Sequence, residues 1–239
     1  MQSVRGIVLN TFRFAEKKII AKVYSKNLGL LSLLLHSAST KKSSYKPAFF
    51  LPFTEIDFQI HLSSNKTLHH PSEINLVQSF SEAFSHPLKN SQLIFLNEVL
   101  IKCLKEEHAN NDLYDFVIAF LDQISTQNFN PDVHLLFLLE FTSYLGFYPH
   151  LENTNSGIYF DLLEGVFVNN PTPHPNYCNR ESTETFKNFI LNYDKLKTGK
   201  ILSSTERKQL LNLFKLFYFL HVPGLHELKS IAVLEQLNS

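Results

Sequence analysis

The spacing of hydrophobic residues changes once along the chain, near residue 75. Before that point, short apolar runs alternate with polar residues and are separated by turn residues, a pattern typical of β-strands. The pattern predicts strands at 6–11, 18–24, 30–36 and 49–62, and a short fifth strand at 68–74. The polar residues 37–46 are predicted to form a loop between the third and fourth strands.

After residue 75, hydrophobic residues recur at steps of three and four, which places them on one face of a helix. Asp132 is the predicted cap of a helix that Gly146 ends, and Ser203 with Glu206 has the spacing of a capping box. Residues 147–181 contain many Pro and Asn residues and are predicted to form an irregular insert. The predicted helices run through 93–104, 113–124, 133–145, 182–193 and 204–221, with a last one after Gly224.

The sequence therefore predicts an α+β protein with two domains. Residues 1–75 form a β-barrel, and residues 76–239 form an all-α domain that carries the insert at about 146–181. Five strands within about 70 residues suit a small closed barrel of the OB-fold type, although an SH3-like barrel would give nearly the same pattern.

Charge is segregated along the chain although its total is zero. Residues 1–72 hold ten basic side chains against three acidic ones, a net charge of +7. The next block, 73–181, carries −10, and residues 182–239 carry +3. A basic block of this kind is where a polyanion such as nucleic acid would bind.

The candidate DNA-binding residues lie in the first two strands and in the polar loop. Lysine and arginine neutralise phosphates, and an aromatic ring can stack on an unpaired base. The alternative is a solvated surface whose charges only prevent strand edges from pairing. Phe12 and Phe14, on either side of Arg13, are expected to pack at the core or its rim rather than to stack on bases. The candidates are Arg5, Arg13, Lys17, Lys18, Lys22, Lys26, Lys41, Lys42, Tyr45 and Lys46.

Motifs for catalysis and metal binding are missing from the sequence. It has no Gly-rich phosphate loop, no Gly-x-Ser-x-Gly and no Cys-x-x-Cys. His174 and Cys178 have a ligand-like spacing, but a structural zinc needs four ligands from rigid pairs. We therefore expect neither an enzyme nor a cofactor. Two distant cysteines, no long apolar run and no signal-peptide core predict a cytoplasmic protein.

Several short segments resemble the RecO family of recombination mediators. The segments are 6–9, 24–25, 29–30, 51–54, 145–149, 160–161, 164–165 and 228–230. They span nearly the whole chain and occur in the order that the family shows. The resemblance implies an N-terminal OB-fold that binds single- and double-stranded DNA, and a helical domain with a zinc-finger-like insert. It also implies a non-catalytic activity near the bacterial nucleoid: annealing single strands and, with RecR, loading RecA onto DNA covered by single-stranded-DNA-binding protein.

The insert departs from the family pattern. Many members hold zinc through two Cys-x-x-Cys pairs there, but residues 150–155 contain no cysteine and only Cys178 lies near the second pair. We therefore expect an insert that binds no metal and is held by side-chain packing. The residues expected to pack are Phe147, Tyr148, Leu151, Phe160, Leu162 and Phe167.

The resemblance further implies a partner site in the C-terminal helices for the acidic, apolar tail of single-stranded-DNA-binding protein. A pocket with an apolar floor and a basic rim would suit such a tail and its terminal carboxylate. Candidate rim residues are Lys187, Arg207, Lys208, Lys215 and Lys229. Two rival hypotheses remain: an OB-fold scaffold that binds only protein, and a nuclease or RNA-modifying enzyme.

Overall fold

The computed structural model describes residues 1–36, 46–61, 67–104, 109–154, 156–199 and 201–237. The chain forms two compact units. The first unit comprises residues 1–93 and 97–127, and the second comprises 94–96 and 128–239.

The first unit contains a six-stranded sheet. Its order is β5-β3-β2-β1-β4-β6, antiparallel except for the parallel pair of β3 with β5. Only His70 and Pro71 separate β5 from β6, so one bent segment pairs with β3 at its start and with β4 along the rest. The bounds are Gln2–Ala15 for β1, Lys18–Ser25 for β2, Gly29–His36 for β3, Thr54–Ile60 for β4, Leu68–His69 for β5 and Ser72–Ser79 for β6.

The sheet encloses an apolar core. Because side chains alternate along a strand, every second residue of each strand points to the inside. Gly6 is required where β1 pairs closely with β2, since an added Cβ would lie 2.5 Å from Cγ1 of Val23. The core residues are Val4, Val8, Ala21, Val23, Leu31, Leu33, Leu35, Phe50, Ile56, Phe58 and Ile60.

Helices cover part of the outer face of this sheet. Helix α1 spans Pro87–Cys103 and α2 spans Asn111–Thr126. The Asn110 side chain caps α2 by accepting a hydrogen bond from the Leu113 amide at 3.0 Å. The Asn97 amide donates to the Leu9 carbonyl at 2.8 Å, and the Tyr24 and Tyr114 rings lie 6.1 Å apart. These contacts fix both helices to β1 and β2.

The second unit is helical and contains the insert. Its elements are α3 (Val133–Leu145), β7 (Tyr159–Asp161), β8 (Val166–Val168), β9 (Tyr177–Cys178), α4 (Arg180–Leu191), α5 (Tyr193–Lys197), α6 (Ser204–His221) and α7 (Ile231–Leu237). The insert is less irregular than predicted, because its strands form a small antiparallel sheet in the order β8-β7-β9.

Helix α3 is the buried centre of the second unit, as its apolar sequence predicts. Nine of its residues are buried, and the hydroxyl of Tyr218 on α6 donates to the Leu138 carbonyl at 2.7 Å. Gly146 ends the helix with a φ of 85°, which confirms the predicted terminator. The capping box of Ser203 and Glu206 at the start of α6 is also confirmed.

The predicted strands at 49–62 and 68–74 and the predicted last helix need correction. The strand expected at 49–62 is shorter, because residues 47–50 form a single 3₁₀ turn and Phe53 has a φ of 59°. The segment expected at 68–74 is interrupted by Pro71, whose nitrogen cannot donate to a ladder, and continues to Ser79. The last helix begins at Ile231 rather than after Gly224. Among the described residues, no helix is long and apolar enough to cross a membrane.

Candidate nucleic-acid interface

The β1–β2 hairpin ends in a group of exposed basic side chains, within a segment we call the hairpin tip (residues 12–18). The ladder runs from Gly6 opposite Ser25 to Ala15 opposite Lys18, which brings Arg13, Lys17 and Lys18 to its turn end. All three are exposed, and none forms an ion pair with another residue in the described ranges. Their charges are therefore accessible to a phosphate without breaking a salt bridge.

Arg5 lies elsewhere on the same strand and already has an anionic partner. Its Nε and one terminal nitrogen donate to the two oxygens of Asp57, both at 2.8 Å, across the β1–β4 ladder. This paired geometry raises the pKa of Arg5 and lowers the pKa of Asp57. A phosphate would have to compete with that carboxylate.

Lys26 is also paired. Its ammonium lies 2.6 and 2.9 Å from the two carboxylate oxygens of Asp115 on α2, and 5.9 Å from the centre of the Tyr114 ring. The contact ties the residue that follows β2 to the N-terminal part of α2. Like Arg5, Lys26 remains a predicted DNA-binding residue, with a competing carboxylate beside it.

The other predicted DNA-binding residues divide into two groups. Lys22 is half-buried on β2, opposite Asn10 and Ser32. Lys46 is exposed at the start of the 3₁₀ turn, with its ammonium 4.8 Å from the Phe49 ring centre. Three residues of the polar loop lie outside the described residues, namely Lys41, Lys42 and Tyr45.

A buried carboxylate behind this face was missed by the sequence analysis. Glu55 on β4 accepts hydrogen bonds from the Tyr114 hydroxyl and from the Gln78 amide, each at 2.7 Å. Burial, followed by the bond to Glu55, raises the pKa of Tyr114. Glu55 and Tyr114 are 59 positions apart, so no local sequence pattern indicates that they are paired. The pair locks α2 onto the sheet.

The residues predicted for a partner rim lie in different surroundings. Lys208 and Lys229 are exposed, whereas Lys187 is 9% exposed and lies 3.8 Å from Glu184. Arg207 is 6% exposed, and its Nε donates to Asp132 at 2.8 Å. Arg207 therefore belongs to the interior of the second unit, which corrects its assignment to a rim.

Lys215 is the rim candidate that borders an apolar crevice. The crevice holds about 180 Å³ of unfilled space, open solvent included, and is too narrow to admit a water molecule. Its floor is hydrophobic, and Lys215 supplies the basic group. The lining residues are Phe95, Leu138, Leu211, Phe214, Lys215, Tyr218, Leu228 and Ile231.

Two models of one protein family together match most of the chain. The family model described as "Recombination protein O N terminal" matches residues 1–80, and "Recombination protein O C terminal" matches residues 85–230. The chain belongs to the recombination protein O family. A protein of Flavobacterium psychrophilum named "DNA repair protein RecO" is 31% identical over 237 residues, 98% of each chain. Proteins of the same name from Bacteroides fragilis and Phocaeicola vulgatus are each 30% identical, over 99% and 100% of both chains.

In this RecO family member the insert is built on an aromatic cluster. Phe160 and Phe167 are buried with ring centres 4.9 Å apart, and Phe186 of α4 lies 4.8 Å from Phe160. Phe147 is half-buried and stacks on His221 at 4.9 Å. Leu162 is buried as predicted, whereas Tyr148 and Leu151 are exposed, so these two do not contribute the expected packing.

Cys178 and His174, which have a ligand-like spacing, lie in different surroundings. Cys178 is buried, and this burial raises the pKa of its thiol to about 12. Asp161 accepts hydrogen bonds from the amides of Leu163 and Glu164 and lies 3.3 Å from His174. Within the described ranges, no group of three or more His, Cys, Asp or Glu residues is placed to hold a metal ion.

Proposed function

We propose that this protein is a non-catalytic mediator of DNA repair and recombination that binds and anneals single-stranded DNA. In this proposal it also assists RecA loading together with RecR. Membership of the family supports the general role, since the relatives are named for DNA repair. The observation that carries DNA binding is the hairpin tip, where Arg13, Lys17 and Lys18 are exposed without ion pairs among the described residues.

We further propose that the sheet of the first unit is an OB-fold. The bent segment at 68–79 pairs in parallel with β3 and antiparallel with β4, so it connects the two sides of the sheet. An up-and-down barrel would have only antiparallel pairs. The first hairpin of an OB-fold is one of the loops that contact oligonucleotides, which agrees with a site at the hairpin tip.

Annealing follows from charge neutralisation without base recognition. Two complementary strands repel each other through their phosphates, and bound cationic side chains reduce that repulsion. Phosphate contacts carry no sequence information, so the bases remain free to pair. Affinity should be independent of sequence and should fall steeply with salt, because it depends on counterion release.

The test compares two double variants that each remove two exposed lysines. Lys17→Ala with Lys18→Ala changes the hairpin tip, and Lys195→Ala with Lys208→Ala removes the same charge from the second unit. Fluorescence anisotropy with a labelled single strand should show the salt slope reduced by about 1.4 for the first variant, from about 0.7 per phosphate contact, and unchanged for the second. Equal changes would refute a site at the hairpin tip.

The protein-only scaffold is the second candidate, and the pairing of Arg5 with Asp57 and of Lys26 with Asp115 favours it. A scaffold would not be retained on single-stranded DNA at low salt. The enzyme hypothesis would require turnover that depends on an added metal.

For the partner site we propose the crevice beside Lys215, after movement of its walls. The acidic, apolar tail of single-stranded-DNA-binding protein would place a side chain on the apolar floor and its terminal carboxylate near that ammonium. A labelled tail peptide should bind Lys215→Ala more weakly than the native chain. An amidated peptide should bind both chains equally weakly. Undiminished binding to Lys215→Ala would refute the site.

A further inference from the structure

Two phenylalanines at the hairpin tip are exposed to solvent, unlike the other phenylalanines of the chain. The chain has 22 Phe residues, all within the described ranges. Phe12 and Phe14 are 44% and 57% exposed, and the other 20 are buried or half-buried. The expectation that Phe12 and Phe14 pack at the core or its rim is therefore wrong.

The register of the hairpin explains why these two rings face solvent. Ile19 and Ala21 point to the core, and their partners on β1 are Arg13 and Thr11. Phe12 is opposite Ile20 and so lies on the outer face of the hairpin. Arg13 pairs with Ile19 and Ala15 with Lys18, which leaves Phe14 as an extra residue on β1. Such a bulge redirects a side chain and is common beside functional sites.

The charges around the rings limit what can cover them. Because side chains alternate along β2, Lys18 and Lys22 lie on the same face as Phe12. The turn holds Glu16 and Lys17, so basic residues outnumber the one acidic residue at the hairpin tip. A second copy docked through this face would bring like charges together. A polyanion with flat apolar groups fits better: phosphates reach the lysines, and unpaired bases reach the rings.

We propose that Phe12 and Phe14 stack on unpaired nucleobases and make the hairpin tip selective for single-stranded over duplex DNA. This inference rests on the proposed DNA binding at the same site. In a duplex the base faces are covered by neighbouring bases, so only the phosphate contacts remain. The lysines then supply the salt-sensitive part of the affinity, and the rings supply a part that does not depend on salt.

The sharpest test uses the absence of tryptophan from the chain. Phe14→Trp introduces a single indole at the hairpin tip, and Leu191→Trp introduces one at a comparably exposed position, 64%, in the second unit. Oligo(dT) should quench the emission of Phe14→Trp with the same Kd that anisotropy gives, and should leave Leu191→Trp unchanged. An indole at position 14 that is not quenched at saturating oligo(dT) overturns the proposal.

Alanine variants separate stacking from charge. Phe12→Ala with Phe14→Ala should bind oligo(dT) about tenfold more weakly or worse, which is the size of effect that base stacking gives. The salt slope and the affinity for a duplex should not change. An abasic strand should bind the native chain and the double variant equally. Equal losses on oligo(dT), duplex and abasic strand would instead indicate a general defect and overturn the proposal.

Different results would contradict DNA binding and base stacking. If the native chain is not retained on any DNA at low salt, the proposed function fails and the stacking proposal falls with it. If the native chain binds but prefers neither oligo(dT) to the abasic strand nor single strand to duplex, only the stacking proposal fails. Circular dichroism melting of each variant excludes unfolding as the cause of a loss, since both phenylalanines are exposed and their removal should leave the melting temperature unchanged.

Discussion

Removing the Arg207 side chain should destabilise the second unit severely, although arginine is usually a surface residue. Arg207 and Asp132 are 6% and 0% exposed. One carboxylate oxygen of Asp132 accepts from Arg207 Nε at 2.8 Å, and the other accepts from the Leu202 amide at 2.7 Å. A terminal nitrogen of Arg207 also donates to the Leu202 carbonyl at 3.0 Å. The two bonds to Asp132 join the start of α3 to Leu202 and to the first turn of α6, and the third holds Arg207 against Leu202.

The magnitude follows from what Arg207→Ala leaves behind. The Asp132 carboxylate would remain buried with one backbone donor and no positive charge. Breaking a buried ion pair on one side costs about 3–5 kcal/mol of unfolding free energy. With a urea dependence of about 1–3 kcal/mol per M, the midpoint of unfolding should fall by at least about 1 M.

Urea unfolding followed by circular dichroism, with hydrogen exchange resolved to α3 and α6, measures this loss in the second unit. Arg207→Lys should recover only part of the stability, because an ammonium cannot reproduce the guanidinium fork. Replacing both residues, Asp132→Leu with Arg207→Met, should be less destabilising than Arg207→Ala alone, since no buried charge is left unpaired. A loss for Arg207→Ala below about 1 kcal/mol, the value of an exposed pair, would refute this reasoning and restore Arg207 as a rim candidate.

Four further predictions follow from the basic block, the missing motifs, the buried histidine and the insert. Replacing Lys41, Lys42 and Lys46 with alanine should weaken binding to different single strands equally and reduce the salt slope by roughly two to three units. An unchanged slope would mean that the DNA-binding site lies elsewhere. Complementary strands should anneal at the same rate with and without ATP or added metal, as followed by fluorescence transfer. Burial and the charge of Arg207 lower the pKa of His134 to about 3 from an ordinary value of 6.5. Between these two pH values the unfolded chain binds a proton that the folded chain does not, so the unfolding free energy falls as the pH drops. Urea titrations of His134→Leu should show a flatter dependence of the unfolding free energy on pH, by up to about 1.4 kcal/mol per pH unit. A chelator should leave the melting temperature unchanged, and one zinc per chain that disappears in Cys178→Ala would contradict the packing of the insert.

The features that could be predicted from the sequence are those set by neighbouring residues. The capping box joins Ser203 to a residue three positions away, and Gly146 adopts a conformation that few other residues tolerate. Helix periodicity and strand alternation are local in the same sense. Where a local signal competes with a tertiary contact, the prediction is incomplete. Asp132 stands at the start of α3 as predicted, but its carboxylate binds Arg207 and the Leu202 amide instead of capping the helix.

Whether a basic side chain of the candidate site is accessible to a phosphate depends on ion pairs between residues far apart in the sequence. Composition does not reveal these pairs. Within the +7 block, Arg5 meets a carboxylate 52 positions away and Lys26 meets one 89 positions away. Arg13 and Lys17 belong to the same block and have no ion pair among the described residues. All four residues contribute equally to a net charge. Only the strand register and the placement of α2 distinguish a cation that holds the fold from one that is accessible to a phosphate.

Arg207 and the pair Phe12 and Phe14 both depart from the average burial of their residue types, with opposite physical consequences. A buried Arg207 would be unstable without Asp132, so its position is explained entirely by contacts inside the second unit. Phe12 and Phe14 are 44% and 57% exposed, so the fold covers only about half of each ring and gains less from them than from a buried phenylalanine. Replacing them with alanine should therefore leave stability almost unchanged, whereas replacing Arg207 should not. Half-exposed rings beside the exposed side chains of Arg13, Lys17 and Lys18 are the arrangement that the proposed ligand, with its phosphates and bases, would require.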